Sequence, residues 1–156
     1  MLAFGYNNMP QTGYIKVNGQ TAVATQFASG DVNRGVTTGV LNIQNSCTLE
    51  SVMHFDTCAN ASYANQMASY IQSLSNDTVL VAVSADDAAW SMSTAGVSTL
   101  AAIGADITGL EFRGKFAFVA VIGRPEETAF EMQAAYGNKA SITAVTQGKV
   151  LTKLLS

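Results

Sequence analysis

Positive charge is scarce in this chain: eight Lys and Arg among 156 residues, against eleven Asp and Glu, for a net charge of −3. Binding nucleic acid through its phosphates needs a basic stripe, and eight scattered cations do not make one. The same scarcity removes the basic face of a membrane-surface helix. No apolar run reaches the roughly 18 residues that cross a bilayer as a helix, so no membrane insertion is expected. The opening Met1-Leu2-Ala3-Phe4-Gly5 lacks the basic and long apolar regions of a signal peptide and reads as the cut edge of a longer protein. Histidine occurs once, at His54. No Cys and His stand at zinc spacing, and the phosphate-cradling loop, the G-x-G-x-x-G turn and the G-x-S-x-G elbow are all missing. No metal, no cofactor and no catalysis are expected.

Cysteine is nearly absent too, with only Cys47 and Cys58. Residues 48–57 between them read as strand, which at about 3.3 Å per residue sets the two Cα atoms roughly 30 Å apart. A disulfide needs them within about 7 Å, so two separate thiols are expected.

What the chain has in abundance is apolar side chain, at 48% of residues. That is enough for one domain with a proper core. Charged residues make up only 12%, so the polar surface must be Ser, Thr, Asn, Gln and Gly, a composition common in extracellular and virion proteins.

Asn18-Gly19 between two β-prone runs, 14–17 and 21–24, signals a hairpin. Strands are expected at 36–44, 49–55, 78–84, 110–112, 116–123 and 141–145, with a loop at 30–35 and a turn at Asn45-Ser46. Tyr63, Met67, Tyr70, Ile71 and Leu74 share one helical face, predicting a helix from Asn60 that ends at Asn76-Asp77. Ser91 or Ser93 caps a second helix to Ile103, with Val97 and Leu100 inward and Gly104 at its end. Pro125-Glu126-Glu127 starts a short helix, where acids suit the dipole, and 149–154 a tail helix. The expected class is α+β: mixed, mainly antiparallel sheets, sandwich-like, with two or three flanking helices. By boundary, 1–11 is a flexible start, 12–146 the domain and 147–156 a C-terminal tail.

The informative stretch is Val83-Ser84-Ala85-Asp86-Asp87-Ala88-Ala89-Trp90, immediately past a buried strand, where open sheets hold ligands. A sugar hydroxyl needs carboxylate acceptors, and its C–H face needs an aromatic surface. Asp86, Asp87 and Trp90 supply both, unless the acids only cap a turn and Trp90 fills core. Arg113 is the second candidate, since a forked guanidinium can pair with Asp86 or Asp87 and still donate to a ligand. Alternation turns Phe112 to the opposite face; the bland alternative makes Arg113 a solvated turn cation. Arg34 is a third. Neighbouring acids cannot by themselves flank one glycosidic bond, which again speaks against catalysis.

At these residues the chain resembles a known family. Asn33-Arg34-Gly35-Val36, Phe55-Asp56-Thr57, Ser84-Ala85-Asp86-Asp87, Leu110-Glu111-Phe112-Arg113 and Phe116-Ala117-Phe118-Val119 follow the order and spacing of the interleukin-like EMT inducer, or PANDER-like, domain. The resemblance covers 12–146. It implies a β-rich globule with two sheets and flanking helices, in a family of cytokine-like and glycan-binding, lectin-like members. In the latter the sugar contacts resemble Asp86 and Arg113. The chain departs from the pattern at Ala88 and Gly114, where the family has Gly and Asp. Few cysteines and low charge look like the version appended to phage tail fibres.

The expectation is therefore a non-catalytic domain binding a cell-surface glycan, on a virion or outside the cell, with Asp86, Asp87, Trp90, Arg113 and Arg34 as ligand contacts. The rivals are a homotrimeric fibre module within a longer protein and a cytokine-like ligand for a protein receptor.

Overall fold

A computed structural model of the chain describes residues 2–7, 12–17, 20–24, 34–43, 48–128, 130–135, 140–147 and 150–153. The strands are β1 Leu2–Asn7, β2 Thr12–Val17, β3 Gln20–Ala24, β4 Gly35–Asn42, β5 Thr48–Phe55, β6 Val79–Ala85, β7 Lys115–Val121, β8 Phe130–Ala134, β9 Ser141–Gln147 and β10 Val150–Lys153. Helix α1 spans Ala61–Ser73, α2 spans Thr94–Ala102, and α3 is one turn, Pro125–Thr128. The strands form two five-stranded sheets, in the orders β10-β9-β1-β2-β3 and β5-β4-β6-β7-β8. Each pairing described is antiparallel.

β6 and β7 are buried throughout, and apolar but for Ser84 and Lys115, because both their faces are covered. Side chains alternate across a strand. Leu80, Ala82, Phe116 and Phe118 therefore join Met67, Ile71 and Leu100 of the helices in one core. Val79, Val81, Val83, Ala117 and Val119 join Ile15 of β2 in a second. The helices start where the chain offers side-chain acceptors: Asn60 Oδ1 accepts from the Ser62 N–H at 2.9 Å, and Ser93 Oγ from the Gly96 N–H at 3.0 Å.

Several expectations are corrected. Leu2–Asn7, read as part of a flexible start, is a strand paired with both β2 and β9. The tail expected as helix contains β10, antiparallel to β9. Short apolar runs carry too few residues for periodicity to separate helix from strand, and pairing partners decide. Residues 110–112 are not a strand but a turn leading into β7, and β8 was not anticipated. The hairpin strands β2 and β3 do pair, Val17 opposite Gln20. Their turn at Asn18-Gly19, the loop at 30–33, the Asn45-Ser46 turn and Cys47 lie outside the described residues.

The topology positions a site. β5 and β6 flank β4 and run parallel to each other, joined by α1, while β4 and β7 run the opposite way. One end of the sheet therefore collects the carboxyl ends of β5 and β6 and the amino ends of β4 and β7. Asp56, Arg34, Asp86 and Arg113 all arrive there.

Candidate functional site

Across the sheet the order β5-β4-β6-β7 becomes a row of alternating charge: Asp56, Arg34, Asp86, Arg113. Arg34 Nε donates to both Asp56 oxygens, at 3.1 and 3.2 Å. Arg113 Nε stands 3.1 Å from Asp86 Oδ1. Hydrogen bonding to Asp56 first, and its charge second, raise the Arg34 pKa further above an already high value. Both guanidinium side chains remain about two-fifths exposed (40% and 39%), whereas Asp86 is nearly covered, at 11%.

Arg34 reaches this row because Gly35 follows it. Gly35 has φ +102°, and a Cβ there would stand 2.2 Å from the Phe55 carbonyl oxygen. No other residue fits that approach.

Asp87 builds the loop rather than facing outward. It is 2% exposed. Its Oδ1 accepts from the N–H of Ala89 at 2.9 Å and of Trp90 at 2.8 Å, and its Oδ2 from the N–H of Arg113 at 2.9 Å. One carboxylate thus folds the turn after β6 and ties it to the turn before β7. The Asp56 turn is fastened to the same loop: Thr57 Oγ1 donates to the Ala88 carbonyl at 2.7 Å, and Ser91 Oγ to the Cys58 carbonyl at 2.9 Å.

Trp90 is not core. It is 71% exposed and meets Phe112, itself 61% exposed, edge to face with centroids 5.6 Å apart. The Arg113 guanidinium carbon stands 5.3 Å from the centre of the Phe112 ring. Sequence alternation had turned Phe112 away from Arg113. The turn abolishes that alternation, and Phe112 joins the site. Asp56, Phe112 and Lys115 are the members that sequence reasoning missed; the Phe55-Asp56-Thr57 element was the available signal for the first.

Among the described residues three non-glycine residues have positive φ, and two of them are here: Asp86 at 49° and Arg113 at 56°. Left-handed backbone costs such residues about 1–2 kcal/mol each and persists where the surroundings impose it. The third is Asp77, at 67°, which pairs with Arg124 instead.

The thiol of Cys58 is free, and burial pushes its pKa up, outweighing the pull of Arg34. Burial also lowers the His54 pKa, and its Nδ1 lies 3.0 Å from Thr37 Oγ1. Among the described residues no cluster of three His, Cys, Asp or Glu could hold a metal, and no helix is long and apolar enough to cross a membrane.

The arrangement presents a shallow surface: an aromatic pair standing beside fixed carboxylates and half-exposed guanidinium groups. Hydrogen-bond donors and acceptors sit beside an aromatic face, at a strand end whose loops are tied together by hydrogen bonds. No curated protein matches the chain. The family model of the interleukin-like EMT inducer matches residues 34–124, more than half of the chain and the whole charged row with its aromatic pair. The chain belongs to the interleukin-like EMT inducer family.

Proposed function

We propose that this domain binds a carbohydrate at the strand end and does not cleave it. The observation that carries the reading is the exposed Trp90–Phe112 pair beside the Asp86–Arg113 ion pair. The rings offer a face to sugar C–H groups, and the charged row offers donors and acceptors to the hydroxyls. Arg34 extends the polar side. Asp87 serves by holding the loop, so the ligand contacts are Asp86, Trp90, Arg113, Arg34 and Phe112.

Absence of turnover fits the chemistry of the groups. A thiol raised in pKa by burial is a poor nucleophile. Asp86 and Asp87 are neighbours in chain, and Asp87 holds three backbone N–H groups. The low-charge, Ser/Thr/Asn-rich surface suits a receptor-contacting domain of a phage tail protein, displayed on the virion.

A second reading, a cytokine-like ligand for a protein receptor, is favoured by the same exposed trio, since Trp, Arg and aromatic residues concentrate in protein-binding hot spots. A glycan array separates the two. Binding that vanishes in both Asp86→Ala and Arg113→Ala, with any bound glycan recovered intact by mass spectrometry, is the expected result. A silent array, or binding indifferent to both substitutions, overturns the proposal.

A further inference from the structure

β6 and β7 part before they reach the site. Their ladder runs from Val79 opposite Val121 to Val83 opposite Ala117, although β6 continues to Ala85 and β7 begins at Lys115. In the gap, buried side chains stand in for backbone pairing. Ser84 Oγ accepts from the Phe116 N–H at 2.8 Å and lies 3.4 Å from the Phe116 carbonyl oxygen. One step further out, the Lys115 ammonium donates to the Asp86 carbonyl at 3.4 Å. Lys115 is 1% exposed and stands among the largest fully buried side chains of the protein.

We propose that Lys115 is a positioning residue of this strand end: its buried ammonium holds Asp86 in the left-handed conformation and thereby, together with the Asp87 carboxylate, sets where Arg113 and Trp90 stand.

The geometry favours this over a packing role. By strand parity Lys115 belongs with Ala117, Val119 and Val121, on the face of β7 turned toward Ile15. That row is otherwise apolar, and an apolar side chain would fill the same space without a charge to desolvate. Among the described residues the charged groups acting on the ammonium include Asp86 and Asp87 from the loop after β6 and Arg113 from the turn before β7; its neighbour on β8 is Ala134. The carbonyl it holds belongs to Asp86, one of the two left-handed residues of the site.

Electrostatics agree with the geometry. Burial lowers the Lys115 pKa, and the opposing attraction of Asp86 does not restore it. A base whose folded pKa is depressed contributes stability above its unfolded pKa and loses it as pH falls through the folded value. In its charged form the buried ammonium therefore works against the stability of the fold. Stability and site geometry then respond to its charge with opposite signs, which no merely structural residue would do.

The test uses the full chain without ligand. Lysine side-chain ¹³Cε and backbone ¹⁵N resonances are followed from pH 7 to about 11, a window that includes the ordinary lysine range. Trp90 emission is followed alongside, since it is the only tryptophan. Lys115 should titrate below the other lysines. The amides of Asp86, Asp87, Trp90 and Arg113 and the Trp90 emission should shift with the same midpoint. Lys115→Met should move the same four amides from their wild-type neutral-pH positions and abolish their high-pH shift, while melting at or above the wild-type temperature.

Titration of Lys115 with the other lysines, or no coupled shift at the four amides, overturns the assignment; so does Lys115→Met with wild-type resonances. If that variant fails to fold, the wild-type titration decides alone. The inference rests on the ligand-site reading only for what the geometry serves. A silent glycan array with the amides moving as described refutes that reading and leaves Lys115 as assigned.

Discussion

Replacing Asp87 by alanine should damage the fold far more than replacing its neighbour Asp86. Asp87 is 2% exposed and its carboxylate accepts three backbone N–H groups, from Ala89, Trp90 and Arg113, at 2.8–2.9 Å. Hydrogen bonds to an ionised group contribute about 1.5–3 kcal/mol each. These three share one carboxylate and the released donors are only partly buried, so water recovers part of the loss. A cost of about 3–5 kcal/mol follows, which in a domain of this size lowers the melting temperature by roughly 6–20 °C. Asp86 makes one ion pair, to a guanidinium side chain that is 39% exposed. Its removal leaves a guanidinium that water can still solvate, so the cost should be about 1–2 kcal/mol, well below that of Asp87→Ala. Urea or thermal denaturation of the two variants measures the difference directly. Asp87→Ala with a loss below that of Asp86→Ala would refute the division of labour between the two carboxylates. The Asp87→Asn variant, keeping one acceptor oxygen, should fall between them.

Other outcomes follow from the same geometry. Gly35→Ala should destabilise by about 3 kcal/mol or more in the same melts, because its Cβ would meet the Phe55 carbonyl oxygen at 2.2 Å in a left-handed backbone. Cys58 should react with iodoacetamide more slowly than a free cysteine at pH 8, followed by mass of its peptide, since burial raises its pKa; Arg34→Ala should slow it further by removing the cation that opposes the shift. Without reductant both Cys47 and Cys58 should label; a protein two mass units lighter than its reduced form would show a bridge.

Much of the helical and central-strand structure was legible because the chain repeats local signals. The 3.6-residue spacing of Met67 and Ile71 with Asn60 ahead of it specifies α1, and the unbroken 79–83 run specifies a strand covered on both faces. β1, β8 and β10 were not legible: each is four to six residues long and is held by partners elsewhere in the chain, β1 by β2 and β9. The 110–112 segment has strand-like composition, yet its backbone turns, because Arg113 is drawn by its N–H to Asp87.

The candidate site divides in the same way. Residue chemistry alone singled out Asp86, Asp87, Trp90, Arg113 and Arg34, because carboxylates, an indole and guanidinium groups are conspicuous in a chain with 12% charge. Only the tertiary structure decided which of them face solvent and what stands beside them. The antiparallel order β5-β4-β6-β7 brings Asp56, Arg34, Asp86 and Arg113 into one row from positions up to 79 residues apart (34 to 113). The turn at 111–113 delivers Phe112 to Trp90, and the early parting of β6 and β7 makes room for a buried Lys115. Local sequence carries dihedral preference and periodicity; strand order and burial are properties of the whole chain, set by which apolar faces can cover each other.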